Sequence, residues 1–77
     1  MPRDEVQAWL RREPFQPFAV KLSSGETYEV PHLEYAALLK NSLIVAFPDS
    51  DRYAECALLH VASIERMEVA GKSVERN

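Results

Sequence analysis

The sequence predicts a mainly β domain that begins with a short helix, and three observations lead to this class. Apolar residues at spacings of three and four over residues 3–12 are typical of a helix. From Phe18 the apolar spacing changes to two, and a glycine-containing turn at residues 23–26 is typical of a β-hairpin. Residues 42–47 form a continuous apolar run rich in β-branched side chains, which indicates a strand covered on both faces.

The predicted helix places its apolar residues on one stripe. Val6, Trp9 and Leu10 fall at positions i, i+3 and i+4, acidic residues occupy the first turn, and Pro14 follows the last turn, where it ends the helix. Two or three turns of helix are marginal in isolation. We therefore expect this stripe to dock on the rest of the fold.

The predicted hairpin has one inward face along both strands. Ser24 and Gly25 are expected to be the two central residues of its turn, because glycine accepts positive φ at little cost. The alternation then assigns to the inner face Phe18, Val20, Leu22, Tyr28 and Val30.

The segment after Pro31 is ambiguous, because a short helix and a loop leading into a strand both fit the apolar positions of residues 32–40. We favour one to two helical turns from Leu33, ended near Asn41. Strands are expected at residues 42–47, as the central strand, then at 53–60 and 64–69, with a polar loop at 48–52 and a bend at 60–63. Residues 1–70 are expected to form a single domain, and residues 71–77 to fray.

One helix followed by five strands predicts a small five-stranded antiparallel barrel, with an α+β meander as the alternative. This element order is similar to that of SH3-like barrels and of Sm-like barrels. In sequence the chain resembles a group of short uncharacterised bacterial proteins through its EPFxPF segment (residues 13–18), its L-x-S-G turn (22–25) and its V-x-H-x-E-Y stretch (30–35). Leu33 departs from the proline common at that position in the group. The resemblance implies no activity.

Length and cysteine content favour self-association. A domain of 77 residues buries only about 60% of the surface that its unfolded chain exposes, so its core needs a supplement. The single cysteine, Cys56, excludes an intrachain disulfide and leaves too few ligands for a Cys/His zinc cluster. A homo-oligomer is the remaining supplement, and another protein partner is the alternative to it.

Charge and hydropathy exclude other classes. The net charge is −3, whereas affinity for nucleic acid comes from neutralising phosphates, so a nucleic-acid partner is disfavoured. No apolar run approaches the length of a membrane span, and the first residues lack the apolar core of a signal peptide. Together with the unpaired cysteine, this favours the cytoplasm.

The most site-like residues are His32 and Glu34, which together could act as a base or bind a metal. Only the distant His60, Asp49 and Asp51 could complete a set of metal ligands. A hydrogen bond that orders the loop is the favoured interpretation. Cys56 lies in an apolar strand without a basic neighbour, which indicates an inert thiol. The sequence therefore predicts neither a cofactor nor an enzyme.

The leading functional hypothesis is a non-enzymatic binding or assembly module that self-associates through strand edges. An edge strand exposes backbone groups that a second chain can pair with. The predicted interface residues are Cys56, Leu58, His60, Ile64 and Met67. An Sm-like RNA-binding protein is the alternative, motivated by the element order and by scattered arginines. Such a protein could stack single-stranded bases on aromatic side chains, and the candidates are Trp9, Phe15, Phe18, Tyr28 and Tyr35. For these side chains we favour packing in the core over contact with bases.

Overall fold

The computed structural model describes residues 1–67, which form one helix and six strands. In chain order these are α1 (Arg3–Leu10), β1 (Phe18–Leu22), β2 (Thr27–Val30), β3 (Ala36–Leu38), β4 (Ser42–Ala46), β5 (Tyr53–Ala57) and β6 (Val61–Arg66). Short 3₁₀ turns at Leu33–Tyr35 and Leu58–His60 precede β3 and β6. The class, mainly β with an N-terminal helix, is confirmed.

The strands form two three-stranded antiparallel sheets, and the prediction of a closed five-stranded barrel is wrong. The first sheet has the order β2-β1-β6 and the second sheet the order β3-β4-β5. Strands β2 and β3 follow each other in the chain but lie in different sheets, and so do β5 and β6. Neither pair forms a ladder among the described residues, so each sheet keeps two open edges.

The segment after β2 contains β3, the strand that the sequence analysis did not predict. Pro31 has no N–H and cannot extend the ladder of β2. The chain then makes a single 3₁₀ turn, in which the N–H of Tyr35 donates to the carbonyl of His32 at 3.0 Å. Residues Ala36–Leu38 immediately pair with β4. One helical turn from Leu33 is therefore present, as a 3₁₀ turn. Its predicted continuation to Asn41 is wrong, because residues Ala36–Leu38 form a strand, as the alternative of a loop leading into a strand requires.

A second corner separates the last two strands. The predicted strand over residues 53–60 stops at Ala57, and the 3₁₀ turn Leu58–His60 returns the chain to the first sheet as β6, which begins at Val61, earlier than the predicted Ile64. A bulge between Lys21 and Leu22 accommodates the start of β6 against β1. The predicted end of this strand, at residues 68 and 69, and the predicted fraying of residues 71–77 lie outside the described residues.

The predicted hairpin is confirmed, with a different turn. The amide of Gly25 donates to the carbonyl of Leu22 at 2.9 Å, and the amide of Leu22 donates to Glu26 at 2.8 Å. Ser23 and Ser24 are therefore the central residues of the turn, and Gly25 follows them with φ of 100°. This is a three-residue hairpin loop, in which glycine supplies the positive φ that reconnects the strands.

The two sheets and the helix enclose one apolar core, which contains no buried polar or charged residue within the described part of the chain. Its members are Val6, Phe18, Val20, Val30, Leu43, Val45, Cys56, Leu58 and Val61. The predicted stripe of α1 docks here: Val6 is fully buried, Trp9 and Leu10 pack against the core, and the rings of Trp9 and Phe18 lie 5.4 Å apart. The helix ends at Leu10, two residues earlier than predicted.

Two contacts fix the start of α1 beside the second sheet. The terminal ammonium of Met1 donates to the carbonyl of Leu58 at 2.7 Å, and Nε of Arg3 donates to the carbonyl of Leu39 at 3.0 Å. The only helix in residues 1–67 longer than one turn has eight residues, and no helix there is long and apolar enough to cross a membrane.

Candidate protein–protein interface

The structure does not bring the two histidines together. His32 and Glu34 border one shallow surface cleft with Leu33, whereas His60 borders another cleft together with Glu26, Glu55 and Cys56. Both histidines are exposed, and the ring of His32 contacts that of Tyr35 at 6.0 Å between centroids. Within residues 1–67 no three His, Cys, Asp or Glu side chains are placed to hold a metal ion.

Cys56 is a core residue. Its side chain is 2% exposed and its thiol is free. Burial, and to a smaller extent the charge of Glu26, raises the pKa of this thiol. Because the thiolate is the reactive form, a raised pKa makes Cys56 a poor nucleophile at neutral pH.

The predicted interface residues fall into two groups. Leu58 is 7% exposed and Cys56 is less exposed, so both side chains are buried in the core of their own chain. Ile64 and Met67 are half-buried, and His60 is exposed. What β5 and β6 can offer to a second chain is therefore mainly their free backbone edges.

The backbone register identifies the unpaired groups of β5. The amide of Phe47 donates to Arg52 at 3.0 Å, and the amide of Leu58 donates to Asn41 at 2.9 Å. Hydrogen-bonded pairs alternate along an antiparallel ladder, so Ala54 and Cys56 also point their backbone groups at β4. The N–H and C=O groups that point away from β4 belong to Tyr53, Glu55 and Ala57. We call these groups the β5 edge.

The β5 edge borders a cleft opposite the β1–β2 turn. Its walls are formed by Glu55 and Ala57 on one side and by Leu22, Ser23 and Ser24 on the other. The turn holds its own polar groups: the hydroxyls of Ser24 and Tyr28 donate to Oε1 of Glu26, at 3.4 and 3.5 Å. Partial burial, followed by the charge of Glu26, raises the pKa of Tyr28. The cleft thus leaves space beside the β5 edge.

The outer faces of the two sheets differ sharply in polarity. On the second sheet, the side chains opposite to the buried Leu43 and Val45 are mostly apolar, and we call them the apolar face: Ala37, Leu39, Ser42, Ile44, Ala46, Tyr53, Glu55 and Ala57. On the first sheet, the corresponding polar face is Ala19, Lys21, Thr27, Glu29, Ser63 and Glu65. The outer face of the second sheet is therefore mostly apolar, whereas the outer face of the first sheet is mostly polar.

The aromatic residues do not form an open stacking platform. Phe18 is buried between Trp9 and Phe15, with ring centroids 5.4 and 5.9 Å away. Tyr28 stacks on Phe47 at 6.0 Å, which bridges the two sheets. The guanidinium of Arg12 lies over the Trp9 ring, 3.8 Å from its centre.

Comparisons with known proteins add no further assignment: no protein-family model, no curated protein and no solved structure matches the chain. The resemblance to short bacterial proteins stays a prediction.

Proposed function

We propose that the protein is a non-enzymatic assembly module in which two copies pair through their β5 edges. The observation that carries the proposal is the β5 edge itself, a five-residue strand of which one side is paired with β4 and the other side is unpaired. A second β5 strand satisfies these N–H and C=O groups by extending the sheet.

The other edges are less suited to pairing. The edge of β2 ends at Pro31 and carries Glu29, β3 has three residues, and β6 adjoins a bulge and ends in two charged residues. Natural sheets use prolines, bulges, charges and short strands to discourage edge pairing. The β5 edge has one charged residue, Glu55, but it has no proline and no bulge, and β5 is longer than β2 and β3.

That charge selects the register. In an antiparallel two-fold pair centred on Glu55, the two carboxylates would lie directly opposite each other and repel. A pair centred on Cys56 instead places Glu55 opposite Ala57 of the second copy. It also brings Tyr53 towards Leu59 of the second copy, and these are the most exposed large apolar side chains of residues 1–67, at 65% and 86%. We adopt this register.

The proposal extends to the cytoplasm as the setting, which the free thiol of Cys56 supports. It does not extend to RNA, because Trp9 and Phe18 are engaged in packing and the net charge is −3. Self-association would add to the stability that the small core provides, because binding of a second copy stabilises the folded state by mass action.

The test is Ala57→Pro. Ala57 has φ of −62° and ψ of 130°, which proline adopts without strain, and its N–H points away from β4. The proline thus removes a donor of the edge without removing a hydrogen bond within the chain. By symmetry two intermolecular hydrogen bonds are lost, worth together about 2 kcal/mol, or about 30-fold in Kd.

The matched control is Ala57→Ser, which keeps the N–H. We expect sedimentation equilibrium to show a weaker dimer for the proline variant and an unchanged one for the serine variant, with the same circular dichroism for both. A wild-type chain that stays monomeric at about 100 µM, or a folded proline variant with the wild-type Kd, would overturn the proposal.

A further inference from the structure

We infer that Tyr53 of one copy and Leu59 of the second copy form the side-chain contacts that anchor the β5 pair and determine its specificity. The inference rests on the edge pairing proposed above. It adds to that pairing the two side chains by which one copy recognises another, and by symmetry the contact occurs twice in the dimer.

Tyr53 and Leu59 are the most exposed large apolar side chains of residues 1–67. They are 65% and 86% exposed, whereas the next in order, Leu33, is 49% exposed. Neither is among the half-buried side chains that pack against the core. The fold of the single chain therefore gains little from either side chain, and burial against a second copy would remove apolar surface from water at both.

The positions of the two residues are symmetric about Cys56. Tyr53 is the first residue of β5, three residues before Cys56, and Leu59 lies three residues after it. Antiparallel pairing centred on Cys56 therefore sets Tyr53 opposite Leu59 of the second copy at both ends of the pair. Pairing centred on Glu55 would instead set Leu59 opposite the charged Asp51. The register that separates the two Glu55 carboxylates is thus also the one that brings the two exposed apolar side chains together.

The backbone keeps Leu59 within reach of the β5 edge. The amide of Leu58 donates to the carbonyl of Asn41 at 2.9 Å, so the chain stays beside the second sheet up to Leu58. By His60 the chain has reached the first sheet, because the amide of Ser23 donates to the carbonyl of His60 at 2.8 Å. Leu59 therefore lies at the corner between the sheets, directly beyond the end of β5.

The side chains between these two residues contribute less to recognition. Residues 54–57 are two alanines, one glutamate and the buried Cys56. Main-chain hydrogen bonds at a sheet edge accept any extended chain, and the side chains along that chain supply the specificity. A partner strand must therefore carry apolar side chains at the positions of both Tyr53 and Leu59, and a second copy of this chain carries them at the required spacing.

The experiment uses the full chain with Leu59→Ser, Tyr53→Thr or both substitutions. Threonine retains the strand preference at the start of β5. The matched control is Leu33→Ser, because Leu33 is also an exposed leucine in a 3₁₀ turn but precedes β3. Urea unfolding first establishes that each variant is folded. We expect a small effect of Leu59→Ser on folding, since its side chain makes little contact with its own chain.

Sedimentation equilibrium then gives the Kd of each dimer. We expect Leu59→Ser and Tyr53→Thr each to weaken the dimer about tenfold or more, and Leu33→Ser to leave the Kd unchanged. Each single substitution removes both copies of the contact, so the double variant should be hardly weaker than the single ones. Effects that add in full would mean that the two side chains do not contact each other, which would overturn the inference.

Mixing the two single variants tests the contact directly. The mixed dimer keeps one complete contact, between Tyr53 of the Leu59→Ser chain and Leu59 of the Tyr53→Thr chain, whereas the dimer of either variant with itself keeps none. Native mass spectrometry should therefore find the mixed dimer above its statistical share. A statistical mixture, or a Leu59→Ser dimer with the wild-type Kd, would overturn the inference; the edge proposal would stand if Ala57→Pro still weakened the dimer. A wild-type chain that stays monomeric defeats the edge proposal itself.

Discussion

The two faces of β4 predict a large difference between neighbouring substitutions. Leu43 and Ile44 are adjacent in the central strand, but Leu43 is 0% exposed in the core whereas Ile44 is half-buried on the apolar face. Truncating Leu43 to alanine removes buried methyl groups and leaves a cavity, which costs about 2–5 kcal/mol. Truncating Ile44 to alanine removes partly exposed surface and some strand propensity, which together cost about 1–2 kcal/mol.

These costs are large against the total. A domain of this size has a free energy of unfolding of about 4–12 kcal/mol, so Leu43→Ala leaves little stability and Leu43→Val serves as a milder variant. The assay is urea unfolding followed by the fluorescence of Trp9, whose ring packs on Phe18 in the core. It is run at low micromolar protein, where association contributes least.

We expect Leu43→Ala to lower the urea midpoint well below that of Ile44→Ala, with similar slopes. Equal midpoints would refute the assignment of the two faces. The side chains opposite to Leu43 would then be part of the core.

Further predictions concern the turn and the buried thiol. Gly25→Ala places a side chain at φ of 100° and should lower the free energy of unfolding by about 1–3 kcal/mol, whereas Ser24→Ala should change it little; equal urea midpoints would contradict the turn described. Because its pKa is raised in the folded state, Cys56 contributes stability that is complete below the ordinary thiol pKa of about 8.5 and is lost as pH rises beyond it. Unfolding at pH 7.5 and 9.5 should show a decrease that is smaller in Cys56→Ala, and an equal decrease in both would argue against this cause.

Local sequence signals were sufficient for several elements. The spacing of Val6, Trp9 and Leu10 determined which side of α1 docks, because only that stripe can bury apolar surface. The alternation from Phe18 to Val30 determined the hairpin and its inward face. Gly25 marked the turn, although the exact pair of central residues depended on backbone hydrogen bonds that no residue pattern displays.

Candidate sites were less accessible to sequence reasoning. His32, Glu34 and His60 suggested chemistry by residue type, but which side chains share a cleft depends on long-range packing, and the structure separates the two histidines. The apolar face left a signal in the continuous run of β4, which indicated cover on both sides. Its neighbours on the face come from β3 and β5, and only their register brings Ala37 and Glu55 beside Ile44.

The sequence by itself determined the β-rich class, the docking helix and the first hairpin, because each follows from the polarity and backbone preference of residues close together in the chain. Tertiary structure decided that six strands divide into two sheets. At Pro31 and at Leu58–His60 several backbone paths are sterically open, and the path taken is set by which sheet offers unpaired hydrogen-bonding groups and an apolar face to cover.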